Sequence, residues 1–196
     1  MQLLMLGLNH KTAPVEVRER FSLAKAAVRQ GLMNMSEYEG IQEMVVLSTC
    51  NRSEIYAVVD DASADEATLK QFLFDLTGNE ENIDAYLYKF VDEECIRHLF
   101  LVASSLDSLV LGEGQILSQV KEAYALSREA GTTSTVINTL FHRAIATGKR
   151  VRTETRIAYN SVSVSYAAVE LARQELGNLN GASALIFGAG KMAELT

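Results

Sequence analysis

At 196 residues, with 48% hydrophobic and 22% charged residues and a net charge of −7, the chain has the composition of a folded soluble protein with one good core and part of a second. The acidic balance excludes a broad non-specific nucleic-acid surface, because that kind of affinity comes from neutralising phosphates. There is no basic leader, no apolar run of bilayer length, no zinc-type ligand spacing among the histidines, and only Cys50 and Cys95 as thiols; a cytoplasmic, metal-free, reduced protein is expected.

Gln2 to Leu8 reads as a first strand, followed by a loop through Asn9-His10-Lys11-Thr12. Pro14 suits a first helical turn, with Thr12 as N-cap and Glu16 and Glu19 early against the helix dipole. Ser22 is expected to cap a second helix to about Met35. Strands follow from Met44 to Thr49 and from Ile55 to Val59, with Asn51 and Ser53 as turn residues. Asp61 or Ser63 starts an amphipathic helix that Gly78 stops, and Ala85 to Val91 alternates as a further strand. This order predicts an α+β fold: a ferredoxin-like split βαβ antiparallel sheet backed by helices, to about residue 92.

From Ile96 onward the period is helical. A turn at Leu111-Gly112-Glu113-Gly114 precedes helices from near Gln115 to about Ala130, from about Thr132 or Ser134 to Arg156, and from about Ser161 to Leu176, the last closed by Gly177. Ala182 to Phe187 is a short strand entering Gly188-Ala189-Gly190-Lys191-Met192-Ala193. That is a G-x-G-x-x-A dinucleotide fingerprint, the first strand-turn-helix of a Rossmann domain, whose glycines let the backbone approach a pyrophosphate. Thr196 comes before the second strand that would reach the ribose, so a complete cofactor site is not expected here. The boundaries read as one domain over 1–160, a linking helix over 161–181 and the start of a nucleotide domain over 182–196.

Charge is unevenly spread. Acids dominate from Asp60 to Glu94, whereas Arg143, Lys149, Arg150, Arg152 and Arg156 face only Glu154. This basic run is either a solvated helix face or a place for a phosphate backbone to dock.

The stretch richest in chemistry is Val45-Val-Leu-Ser-Thr-Cys-Asn-Arg-Ser-Glu-Ile-Tyr56, which carries Cys50 off an apolar strand into a polar turn. Cys50 is either a presented nucleophile or one more small packed side chain. Only a thiolate attacks and a nearby cation favours it, so Arg52 is a candidate activator; its guanidinium fork also suits a substrate carboxylate.

Ser48 to Tyr56 resembles the signature of the glutamyl-tRNA reductases, the enzymes that open five-carbon tetrapyrrole biosynthesis. His98 to Gln119 is similar to a second family block almost letter for letter, with Ser105 where glycine is usual. Gly7 to Glu19 and Asn160 to Ala172 look like further family landmarks, so the resemblance spans the chain in the expected order. It implies that Cys50 attacks the ester joining glutamate to tRNA, that tRNA leaves a thioester behind, and that NADPH held by Gly188 to Ala193 supplies hydride to give glutamate-1-semialdehyde. Matching positions place Thr49, Asn51, Arg52, Ser108, Glu113, Gly114, Gln115 and Gln119 around the glutamyl group, with Arg52 on its side-chain carboxylate. His98 would orient substrate or assist as acid–base, and Glu54 would partner Arg52 or the turn backbone. Family members also carry a C-terminal helical dimerisation domain, and glutamate-1-semialdehyde aminomutase is a further candidate partner. By itself the chain is expected to be largely monomeric and limited to acyl transfer and hydrolysis. The competing readings are a cysteine hydrolase or acyltransferase using His98 or His10 as base, a tRNA-binding module with a packed Cys50, and an ordinary NAD-dependent dehydrogenase, which the long segment ahead of the fingerprint disfavours.

Overall fold

A computed structural model describes residues 1–79, 81–157 and 164–187. Four strands, β1 (Gln2–Asn9), β2 (Ile41–Ser48), β3 (Arg52–Val59) and β4 (Tyr88–Val91), form one sheet in the order β2-β3-β1-β4, with every neighbouring pair antiparallel. Helices α1 (Val15–Arg20) and α2 (Lys25–Met33) connect β1 to β2, and α3 (Glu66–Thr77) connects β3 to β4. Helices α4 (Glu93–Ala103), α5 (Ile116–Glu129), α6 (Thr135–Glu154) and α7 (Val164–Leu176) follow. Among the described residues no helix is long and apolar enough to cross a membrane.

Side-chain alternation along the strands divides the core in two. Leu4, Leu6 and Leu8 of β1 pack with Val17, Phe21, Leu32, Leu69 and Phe72 on one face, whereas Leu3 and Met5 pack with Leu99, Val102, Val120, Ile137 and Phe141 on the other. The helical half is therefore the second layer of the fold, laid across the sheet's other face. A sheet covered on both faces needs apolar residues in both registers, and that is why Leu3-Leu4-Met5-Leu6 is an unbroken apolar run.

Several element ends differ from expectation. Pro14 and Ala24 occupy the N-cap positions of α1 and α2, so neither Thr12 nor Ser22 caps a helix; Thr12 Oγ1 accepts the Asn9 N–H instead. Asp65, not Asp61 or Ser63, precedes α3, while Gly78 ends it at φ +64 as expected. Arg52 and Ser53 belong to β3, paired with Asn9 and Ser48, so the hairpin turn is only Thr49 to Asn51. β4 shrinks to Tyr88–Val91 because Asp84–Tyr86 forms a short 3-10 turn. Helix α6 begins at Thr135, within a residue of the expected Ser134, but no side-chain bond from Ser134 caps it. The buried Glu43 of β2 does so, accepting the N–H groups of Ser134, Val136 and Ile137 (2.7, 3.1 and 2.9 Å). Ala182 to Phe187 forms no strand, and Leu185 and Phe187 are exposed; a strand needs a hydrogen-bonded neighbour, and the described residues offer it none. Gly188 to Ala193 lie outside the described residues.

Candidate active site

The β2–β3 turn presents Cys50 to solvent. Thr49 closes this turn: its N–H donates to the Arg52 carbonyl (2.8 Å), and its Oγ1 accepts the Asn51 and Arg52 N–H groups (3.1 and 3.2 Å). Two other segments brace it. The His10 N–H donates to the Asn51 carbonyl (2.9 Å), and Arg18 of α1 donates through Nη1 to the Cys50 carbonyl (2.8 Å) and to Asn51 Oδ1 (3.0 Å). The guanidinium bonded to the Cys50 backbone thus belongs to Arg18, and that of Arg52 turns inward.

Arg52 leads to a polar network between the sheet and α4. Glu54 is fully buried and its Oε1 accepts Arg52 Nη1 (2.6 Å), His98 Nε2 (3.0 Å) and the Tyr88 hydroxyl, while Oε2 accepts the Tyr56 hydroxyl (2.7 Å). Burial pushes the Glu54 carboxyl up, but Arg52, with the hydrogen bonds from His98 and Tyr88, overcomes this and holds it down at about 2. An ionised carboxylate only accepts, so His98 donates to it through Nε2–H. Burial and then the Glu54 charge push the Tyr56 and Tyr88 hydroxyls well above the ordinary phenol range, so both remain donors.

Arg52 Nη2 donates to the Asp107 carbonyl and to Asp107 Oδ2 (3.1 Å), and Lys11 pairs with the same carboxylate. Burial raises the Asp107 carboxyl, but Lys11 and Arg52 together bring it below its usual value. His10 lies in the same field. Burial first, then the Arg52 charge, lowers its pKa, which favours the neutral ring, and its buried Nδ1 has no partner among the described residues. Lys11 and Arg52 are thus both paired with Asp107, while Arg18 bonds neutral oxygens of the Cys50 turn.

Two clefts open here. Asn9, Lys11, Tyr88, Phe90, His98 and Asp107 line one of about 220 Å³. Ser48 and Gln119 line another of about 140 Å³ between α2 and α5, walled by Leu23, Val28 and Leu126. His98 and Asp107, partners of the buried Glu54 and Arg52, thus line the first cleft, and Gln119 lines the second. Ser108 is buried, its Oγ without a partner among the described residues. Glu113 and Gly114 offer their carbonyls to Arg152, and Gln115 holds the N-cap position of α5. No cluster that could bind a metal occurs among the described residues.

The family model described as glutamyl-tRNA(Glu) reductase, N-terminal domain, matches residues 6–155, which include all of this network. The chain belongs to the glutamyl-tRNA reductase family. The glutamyl-tRNA reductase of Pelobacter propionicus is 48% identical over 196 residues, covering all of this chain and 45% of that protein; that of Brevibacillus brevis is 50% identical over 197 residues, covering all of this chain and 43% of the relative. The solved glutamyl-tRNA reductase from Methanopyrus kandleri is 38% identical with a TM-score of 0.69, over 97% of this chain and 44% of its own. The chain thus spans less than half the length of these relatives.

Within this reductase framework, Glu54 partners Arg52 at 2.6 Å rather than the turn backbone. Sequence reasoning missed Arg18, Asn9 and Tyr88 as members of the site, and left Asp107 open between a solvated loop and a pocket wall; it lines the cleft. Asn9 Nδ2 donates to the Tyr88 hydroxyl (3.0 Å) across 79 positions, and Arg18 meets the Cys50 carbonyl across 32. The Gly7 to Glu19 landmark contained Asn9 and Arg18, but no local spacing signals a partner so far along the chain.

Proposed function

We propose that the full-length protein reduces glutamyl-tRNA to glutamate-1-semialdehyde with release of tRNA, the opening step of five-carbon tetrapyrrole biosynthesis, and that this chain carries its acyl-transfer half. The carrying observation is the exposed Cys50 on a turn clamped by Arg18 and His10, directly beyond a buried Arg52–Glu54–His98 network, in a chain of this family. Cys50 Sγ attacks the ester carbonyl, and its proton passes to the departing ribose oxygen, so that a thioester and free tRNA result. NADPH, when bound by the segment from Gly188 to Ala193, would supply the hydride that turns the thioester into the aldehyde and frees the thiol. Arg52 is engaged by Glu54 and Asp107, so a glutamate side-chain carboxylate would reach it by displacing Asp107 Oδ2, with Lys11 alongside. Thr49 and Asn51 shape the turn around the acyl carbon, and Ser108, Glu113, Gly114 and Gln115 would approach the glutamyl group from the α4–α5 loop, whereas Gln119 of α5 would reach it from the neighbouring cleft beside Ser48. His98, donating to Glu54, orients Arg52's partner at the wall of the cleft.

Residues 1–160 form the catalytic domain under this reading, a ferredoxin-like sheet with its helices, with 161–181 as linker and 182–196 opening the NADP-binding Rossmann domain. The full protein is a cytoplasmic homodimer through its C-terminal domain, passing product to an aminomutase. Arg143 and Lys149, both exposed on α6, are the candidate tRNA contacts. The test is acid-quenched mass analysis of the chain after incubation with glutamyl-tRNA labelled on glutamate, comparing wild type with Cys50→Ser and Cys95→Ser. Label on Cys50, or glutamate release that needs Cys50, supports the reading; transfer that persists in Cys50→Ser refutes it.

A further inference from the structure

The loop between α4 and α5 carries Ser108, Glu113 and Gln115, which the proposed function sets around the glutamyl group. Its backbone is strained and tightly placed. Ser105 stands at φ +62, in the left-handed region, and Gly112 at φ +80, where any side chain would meet the Ile157 carbonyl. Besides its own turn bonds and the Arg52 and Lys11 contacts to Asp107, it is held from α6. Arg152, near the C-terminal end of α6, donates through Nη1 to the Gly114 carbonyl (2.9 Å) and through Nη2 to the Glu113 carbonyl (2.7 Å) and Ser105 Oγ (3.0 Å). Ser105 Oγ in turn donates to the Glu113 carbonyl (2.9 Å), so the left-handed serine is itself part of the clasp.

This is a weak way to use an arginine for stability. All its acceptors are neutral oxygens, Nε is buried without a partner among the described residues, and burial lowers the guanidinium below its usual pKa. Arg152 has no carboxylate within ion-pair distance among the described residues, although Glu154 lies on the same helix and pairs with Arg150. What the arrangement delivers is the position of two consecutive carbonyls on the loop that lines the acyl site.

We propose that Arg152 is a positioning residue for acyl transfer, tying the α4–α5 loop to α6 in its substrate-binding form. This rests on the proposed function and removes Arg152 from the phosphate-facing run. The same chain is assayed as wild type, Arg152→Lys and Arg152→Ala in three ways: Cys50 acylation against glutamyl-tRNA concentration, amide hydrogen exchange over 105–115, and thermal unfolding. Arg152→Ala is expected to raise the half-saturating concentration by about tenfold or more, change the saturating rate by less than about threefold, and speed exchange in 105–115 but not in β1 and β3. Arg152→Lys, which keeps the charge and part of the reach, should restore part of both effects. Unchanged half-saturation and exchange would overturn the proposal. So would an equal fall in the saturating rate, or loss of folding in Arg152→Ala, because the clasp should add little to global stability. If wild type itself is not acylated, the proposed function fails, and the exchange over 105–115 still decides whether the clasp exists.

Discussion

Replacing Glu54 with glutamine keeps the shape of the side chain and removes the charge on which Arg52, His98, Tyr56 and Tyr88 converge. In the fold the carboxyl sits at about 2 against an ordinary 4.5, which corresponds to about 3 kcal/mol of stability. Breaking one partner out of a buried ion pair gives a similar figure, about 3–5 kcal/mol, and Asp107 still facing Arg52 favours its lower end. Because the folded carboxyl is depressed, its contribution is complete above about pH 4.5 and is lost as pH falls towards about 2. Urea unfolding at pH 7 should therefore place Glu54→Gln about 3 kcal/mol below wild type, with the gap closing through that acid window. A variant within about 1 kcal/mol of wild type at pH 7, or an unchanged gap between pH 4.5 and 2, would refute the reasoning. The pair of substitutions Arg52→Met and Glu54→Leu should recover part of the loss, since it leaves no unpaired buried charge between these two positions.

Three further outcomes follow from the same geometry. Glu43→Ala removes the acceptor for three N–H groups at the start of α6 and should cost about 1–3 kcal/mol in urea unfolding; a neutral result would mean that water replaces the carboxylate. Gly7→Ala places a Cβ against the Ser53 carbonyl and the Glu54 backbone, so β1 and β3 must part at the site, with a loss of about 1–3 kcal/mol and slower Cys50 acylation; wild-type stability in the variant would contradict this contact. A thiol reagent at neutral pH should modify Cys50 in the folded chain and reach Cys95 only on unfolding, because Cys95 is fully buried and burial, followed by the Glu54 charge, pushes its thiol up; equal labelling of both would show that α4 opens.

Much of the architecture was legible in the sequence because it follows from contacts a few residues apart. Apolar runs marked β1, β2 and β3, helical spacing marked α3 to α6, and Gly78 marked a helix end because φ +64 favours a residue without a side chain. The same local logic put Cys50 at the rim of the sheet. It misjudged the first helix starts, where Thr12 and Ser22 are good caps in isolation, and it gave no sign that the α6 N-terminus is capped by Glu43, some ninety positions earlier. It also read Ser53 as a turn residue, since only pairing with Ser48 and Leu8 reveals it as strand.

What the sequence by itself determined, then, is most of the elements, the placing of Cys50 at a strand-to-turn boundary and the family, all of which live in short segments and their order. Only the tertiary structure decided that the helical half covers the sheet's second face, that Arg52 points inward to Glu54 and Asp107 while Arg18 attends Cys50, and that Arg152 leaves a basic run to hold the α4–α5 loop. The physical reason is common to all three. A charged side chain can be solvated, paired with its nearest neighbour or buried against a distant one, and the outcome depends on which groups packing brings within about 3 Å of it, which local spacing does not encode.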